Sequence, residues 1–182
     1  MHLYLTNNDE SVGKHGFTDD LGRTLYTADT PWRKTVLTTT LKRGDGHVVA
    51  EITMPRYKKP EQSVVVSVGG KEANADEMFL ITKDNFIGQY VARLFVAPDG
   101  GKYIWSTSFG KTQLAPKGGA PALATFKTAG MFSGKAMLDI APQGEDILDE
   151  IMVGFLLVEL LKNQKKEKNV DGAFIAMMGA PG

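Results

Sequence analysis

The stretch GEDILDEIMVGFLLVELLKNQKKEKN, Gly144 to Asn169, decides the fold, because it predicts a helix that is apolar on every side. No polar side chain interrupts the run from Ile151 to Val158, whereas a surface helix keeps a polar face. Acidic residues stand near its start and lysines near its end, which complements the helix dipole and predicts solvated ends. We therefore expect a helix over about residues 145–168 whose middle is buried.

The apolar run also indicates what surrounds this helix. Ile151 to Leu161 is 11 residues long and contains Glu159, whereas a membrane span needs about 20 apolar residues. A helix lying on one sheet face would leave half of its apolar surface exposed. The pattern therefore predicts a closed β-barrel wrapped round a central hydrophobic helix, with Gly154 marking the close approach of a strand or a bulky side chain.

The rest of the chain has the pattern of an antiparallel β protein. Apolar alternation is clearest in GHVVAEITM, where Val48, Ala50, Ile52 and Met54 are predicted to share one face. Asp-Gly pairs in RGDGH and APDGGK predict tight hairpins. The strand-like runs are HLYLT, RTLYTAD, KTVLTTTLKR, GHVVAEITM, QSVVVSV, EMFLITK, YVARLFVA, KYIWSTSF and PALATFKT. This rhythm predicts a mainly β fold.

Composition narrows the class of protein. Lys plus Arg and Asp plus Glu both number 21, so no global field favours nucleic acid, and none is expected as a partner. With no cysteine there are neither disulfides nor thiolate sites. The first residues lack the pattern of a signal peptide, which predicts a cytoplasmic protein. One domain is expected over residues 1–169, followed by an apolar tail, 170–182, that forms a strand or a subunit contact in a homodimer.

Four stretches in this order resemble an uncharacterised domain family of mushroom-forming fungi: RTLYTADTP, HVVAEITM, DGGKYIWS and ILDEIMVGFLLVELL. That family is similar to the tubby-like and LURP-one-like barrels, which are related to the phospholipid scramblases. The resemblance covers roughly residues 2–165. It implies about twelve strands around a central helix, and it does not extend to the tail.

No recognisable catalytic set is present, and an enzyme is not predicted. His2, His15 and His47 are far apart and lack metal-ligand spacing, so no metal site is expected from them. VGGKEA lacks the flanking residues of a P-loop and is interpreted as a turn. Carboxylates in GFTDDLG and APDGG suit a hard cation or, more simply, turns.

Two groups of side chains are candidates for binding. MPRYKKPE places Arg56, Lys58 and Lys59 around Tyr57, as a loop would that contacts anionic headgroups, although solvated loop charges are the simpler and favoured interpretation. The candidates for contact with an apolar or aromatic ligand are Trp32, Tyr57, Trp105, Phe109, Met177 and Met178, each of which is also a plausible packing residue.

Three functions remain open from the sequence. The first is a non-enzymatic protein that carries a small apolar or aromatic molecule, such as a pigment or another bound chromophore. The second is a peripheral membrane module that binds phosphoinositides or other anionic lipids. The third is a structural or storage protein without a ligand. The aromatic and methionine content favours the first.

Overall fold

β-Strands are the main secondary structure in the computed structural model, which describes residues 1–6, 14–31, 36–55, 63–82, 89–98, 100–108, 111–129 and 134–178. Side chains are described for all of these except residues 89–91, 108 and 165–178. The strands are β1 His2–Leu5, β2 His15–Thr18, β3 Thr24–Asp29, β4 Val36–Arg43, β5 Val48–Pro55, β6 Val65–Val68, β7 Lys71–Asn74, β8 Leu80–Ile81, β9 Gln89–Val96, β10 Lys102–Ser108, β11 Lys111–Pro116, β12 Ala124–Lys127 and β13 Met137–Ile140.

In the described part of the chain these strands form one antiparallel sheet, in the order β7-β6-β5-β4-β3-β2-β1-β13-β12-β11-β10-β9-β8. Neighbours in the sheet are neighbours in sequence, as short connections favour, apart from β1 and β13. These two strands pair with Leu3 opposite Leu138. The sheet therefore consists of two meanders that meet at β1 and β13, with β7 and β8 as its edges.

The prediction of a closed barrel is wrong, because no ladder joins β7 to β8 within the described residues. The short helix α1, Ala75–Met78, separates these edge strands in the chain. Asn74 caps α1, with its Oδ1 accepting a hydrogen bond from the Asp76 N–H at 3.0 Å. The cap begins a helical turn and shortens the strand expected over EMFLITK to Leu80–Ile81. The fold is mainly β, with one large open sheet.

Strand β5 shows how a bulge changes which residues face inward. Three of the four predicted inward residues are buried, but the fourth, Val48, is 43% exposed, and Val49 is buried in its place. The ladder with β4 shifts register between Leu41 and Lys42, which leaves Val49 as an extra residue. A β-bulge reverses the side-chain alternation locally, so the alternating pattern could not predict this exchange.

Four short strands were not predicted: β2, β7, β11 and β13. Their sequences, HGFT, KEAN, KTQLAP and MLDI, carry weak apolar alternation. They are strands because neighbours pair with them on both sides, or on one side for β7. Tertiary pairing here overrides local preference.

A long helix follows the last strand in the chain. A 3₁₀ helix, Pro142–Ile147, leads into α2, Leu148–Met178. The helix continues past its predicted end near residue 168, so residues 170–178 of the tail are helical and do not form the expected strand. Whether the tail contacts another subunit stays a prediction.

The predicted burial of the helix middle is confirmed, since every residue from 151 to 159 is buried. Phe155 shows how the sheet covers it. Its ring centroid lies 6.2 Å from that of Phe17 in β2, 6.1 Å from Trp105 in β10 and 4.9 Å from Phe126 in β12. Burying one such side chain contributes about 1.5–3 kcal/mol, so the contact between α2 and the sheet is the core of the protein.

Candidate functional site

The start of α2 is fastened to the sheet by a carboxylate. Asp149 accepts hydrogen bonds from the Tyr26 hydroxyl at 2.6 Å and from Arg43 Nε at 3.1 Å, and Arg43 Nη2 forms an ion pair with it. Burial alone would raise the pKa of Asp149, but the bonds from Arg43 and Tyr26 outweigh burial and hold that pKa below its usual value. Burial and the adjacent carboxylate raise the pKa of Tyr26.

The far end of the buried segment carries a polar cluster. Glu159 is 4% exposed, and its carboxylate accepts a hydrogen bond from Thr112 in β11. Lys162 Nζ lies 3.1 Å and 3.0 Å from the two Glu159 oxygens. Thr112 and Thr107 share a further hydrogen bond of 3.2 Å between their hydroxyl oxygens. The Glu159 carboxylate is thus paired with a cation and hydrogen-bonded, as a buried charge requires.

From the sequence, Lys162 was interpreted only as one of the lysines that complement the helix dipole. The structure corrects this interpretation, because Lys162 forms an ion pair with Glu159. The two threonines were not singled out, since their closeness to Glu159 depends on the β10–β11 pairing of Thr107 with Thr112. One signal was present. A single acidic residue inside an apolar run, with a lysine three positions later, is the pattern of an i,i+3 ion pair.

Beyond this cluster, the last described hydrogen bond between α2 and the sheet lies at the end of β5. Gln164 Nε2 donates a hydrogen bond of 2.9 Å to the carbonyl oxygen of Pro55. We call this the helix-exit end of the sheet. Two basic segments begin here: Arg56, Lys58 and Lys59 follow Pro55, and Lys165, Lys166 and Lys168 follow Gln164.

The two segments follow residues that are in contact with each other. Arg56, Lys58 and Lys59 come directly after Pro55 in the sequence and lie outside the described residues. Lys168 is four residues beyond Gln164 on α2, about 6 Å farther along the helix axis. The hydrogen bond between Gln164 and Pro55 joins the residues that directly precede two basic stretches, which are more than 100 residues apart in sequence.

The strand register puts other exposed lysines at the opposite end of the sheet. Lys71 pairs with Val68, which lies opposite Ala50, toward the start of β5 and away from Pro55. Lys102 and Lys117 lie at the β10 and β11 ends away from the hairpin that carries Thr107 and Thr112. These lysines therefore provide a comparison set of equal charge for the helix-exit end.

Most of the predicted binding residues lie outside the described side chains. These are Trp32, Arg56, Tyr57, Lys58, Lys59, Phe109, Met177 and Met178. Trp105 is described and is 0% exposed, so it is a core residue in this structure. A Cβ added to Gly154 would lie 2.7 Å from Trp105 Cδ1, which confirms the predicted close approach at that glycine.

The histidines do not form a shared site. His2 Nδ1 lies 3.1 Å from Asp20 and its Nε2 lies 3.5 Å from Asp139, so its two nitrogens face different carboxylates. His15 is buried and His47 is exposed. Among the described residues, no group of three or more histidine or acidic side chains could hold a metal ion. Asp19 accepts hydrogen bonds from the Leu21 and Arg23 N–H groups, which is a turn role.

None of the helices within the described residues combines the length and the apolar character that a membrane crossing requires.

Comparison with known proteins assigns the chain to a family but not to an activity. A family model described as "Family of unknown function (DUF6593)" matches residues 7–164, which is most of the chain. The chain belongs to this family. The DUF6593 match ends at Gln164, so Lys165, Lys166 and Lys168 and the apolar end of α2 lie beyond it. No curated protein and no solved structure matches the chain.

Proposed function

We propose that this DUF6593 protein is a peripheral membrane module that binds anionic lipid headgroups at its helix-exit end. The observation that carries the proposal is the hydrogen bond between Gln164 and Pro55, because a basic stretch of sequence directly follows each of these two residues. Residues 56–61 and 165–168 together contain six basic residues and two acidic ones, Glu61 and Glu167. A juxtamembrane cluster of this size attracts anionic lipid with about 1 kcal/mol per Lys or Arg.

The course of α2 supports the same proposal. Met178 is 14 residues beyond Gln164, which places the helix end about 21 Å past the last described contact with the sheet. The sequence of this part is basic first and then apolar, with Ala173 to Met178 free of charge. A helix with a basic turn followed by an apolar end suits insertion at a membrane interface. The resemblance of the sequence to tubby-like and scramblase-related proteins favours the same proposal. The predicted cytoplasmic location agrees with binding to anionic lipid of the inner leaflet.

The test is flotation of the full chain with three kinds of vesicle: phosphatidylcholine alone, phosphatidylcholine with phosphatidylserine, and phosphatidylcholine with a phosphoinositide. We expect binding to both anionic vesicles at low salt and its loss as salt rises, because the attraction is screened. Replacing Lys165, Lys166 and Lys168 by Gln is expected to weaken binding roughly a hundredfold.

The matched control replaces Lys71, Lys102 and Lys117 by Gln, which removes the same charge from the opposite end of the sheet. It is expected to retain most of the binding. The proposal fails if no anionic vesicle retains the protein at low salt. It also fails if both triple variants lose binding equally, since net charge rather than the helix-exit end would then explain the result.

The carrier function stays a separate prediction, as do a bound chromophore and a structural or storage role. Of the side chains predicted to contact a ligand, Trp105 alone is described, and it is buried in the core. A ligand that reached Trp105 would therefore have to enter the core itself. The indole nitrogen of Trp105 gives a specific reason to consider such a ligand.

A further inference from the structure

Trp105 has a buried donor without a partner. The side chain is 0% exposed, and its Nε1 finds no hydrogen-bond acceptor among the described residues. An indole N–H can only donate, and a buried donor left unpaired carries a desolvation cost that native proteins rarely keep. The group therefore calls for an acceptor that the described protein does not provide.

The unpaired N–H lies against α2 at its one glycine within the buried segment. A Cβ on Gly154 would collide with Trp105 Nε1, and the same Cβ would lie 3.3 Å from Phe79 Cε1. The indole nitrogen, the bare helix backbone and the Phe79 ring thus meet at one point. Phe79 is itself only 3% exposed and packs on Phe95 with ring centroids 5.8 Å apart.

Phe79 also lies where the sheet is open. It directly follows α1, which spans the interval between the edge strands β7 and β8. α1 is held on one side by the Ala75 N–H, which donates to the Val64 carbonyl at 2.8 Å. On the other side Arg93 pairs with Asp76 and donates to the Phe79 carbonyl at 3.1 Å. Within the described residues, one helical turn and one arginine bridge this interval.

We propose that a small apolar molecule with one hydrogen-bond acceptor, such as an aryl ketone, binds between Trp105 and Phe79. The Phe79 ring moves aside toward the interval between β7 and β8, and the carbonyl oxygen of the ligand accepts a hydrogen bond from Trp105 Nε1. The neighbouring rings of Phe79, Phe95 and Phe155 make the site apolar, which excludes charged molecules. This proposal does not rest on lipid binding, and either can fail alone.

The test uses the full chain labelled with ¹⁵N-tryptophan, whose two indole N–H resonances are distinguished with the Trp32→Phe variant. Acetophenone and ethylbenzene are the probes, because they are similar in shape and only the ketone has an acceptor. We expect acetophenone to move the Trp105 indole resonance downfield in a saturable way. Ethylbenzene is expected to bind roughly five- to tenfold more weakly, which corresponds to one net hydrogen bond, and to produce no downfield shift.

Two variants test the position of the site. Phe79→Leu opens space beside the indole nitrogen and is expected to tighten acetophenone binding. Phe126→Leu is the control, because it removes a buried ring that packs on Phe155, and it is expected to leave the affinity unchanged. The proposal is overturned if acetophenone gives no saturable shift of the Trp105 resonance, or if the two probes bind equally. It is also overturned if Phe79→Leu and Phe126→Leu change the affinity alike while both retain native spectra.

Discussion

At the scale of single residues, Gly154 determines how closely the sheet approaches α2. The edge of the Trp105 indole occupies the space that a Cβ would take. Glycine inside a helix normally costs about 1 kcal/mol relative to alanine, so alanine here would stabilise the helix if the space were free. The contact with Trp105 reverses that expectation, since a filled core resists an added methyl group.

Gly154→Ala is therefore expected to destabilise the protein by about 1–3 kcal/mol, lowering the melting temperature by roughly 3–10 °C for a chain of this size. Thermal unfolding followed by circular dichroism measures this. The double variant Gly154→Ala/Trp105→Phe is expected to lose less than the sum of the two single variants, because the smaller ring relieves the collision. An unchanged or raised melting temperature for Gly154→Ala would show that the helix and Trp105 are not in contact.

At the scale of elements, the hydrogen-bonded ion pair of Glu159 and Lys162 marks where α2 passes from the core to the helix-exit end. Residues 151–158 can be buried without charge, but Glu159 is buried with one. Its carboxylate is tolerated because Lys162 and Thr112 both contact it. The contact between Glu159 and Thr112 sets the position of α2 along its axis, because sliding the helix by one turn would separate these two residues.

Removing only the cation is expected to cost more than removing the whole pair. Lys162→Met leaves a buried carboxylate without its partner, which costs about 3–5 kcal/mol, whereas replacing a buried pair by apolar residues is often nearly neutral. We expect Glu159→Leu/Lys162→Met to be clearly more stable than Lys162→Met in urea unfolding. Equal losses for the two variants would mean that the pair contributes only through packing.

At the scale of the whole molecule, Asp149 joins α2 to β3 and β4, which precede it by more than 100 residues. Its pKa is depressed in the folded protein. The unfolded chain therefore binds the proton more readily, so this carboxylate contributes stability above the unfolded-state pKa of about 3.9 and loses that contribution as the pH falls through the folded-state value.

Asp149→Asn is expected to lower the unfolding free energy at neutral pH by an amount on the order of 1 kcal/mol, allowing for the partial exposure of the group. The difference from the wild type is expected to shrink as the pH falls below about 4. Urea unfolding across this range measures it, with Glu72→Gln as the control at an exposed carboxylate. If the difference in unfolding free energy did not change with pH, the effect of Asp149→Asn would come from altered packing or hydrogen-bond geometry and not from the lost charge.

Much of the fold could be predicted from the sequence, because the apolar pattern of a short segment indicates which of its faces is buried. The uninterrupted apolar run from Ile151 to Val158 was enough to predict a helix buried on all sides, and it also predicted the close approach at Gly154. The alternation in β5 was predicted apart from one position, where a bulge exchanges Val48 and Val49. Asp-Gly turns were predicted as well, and Gly46 has the positive φ of 88° that such turns require.

Only the tertiary structure showed that the sheet is open and which distant residues are in contact at the candidate site. The Asn74 cap begins α1 between β7 and β8. No ladder joins these two strands within the described residues. The contacts of Glu159 with Thr112, of Gln164 with Pro55 and of Trp105 with Gly154 join residues 47, 109 and 49 positions apart. Apolar periodicity reports which face of an element is buried, but not which distant residue lies opposite, because strand register and helix position are set by the packing of the whole chain.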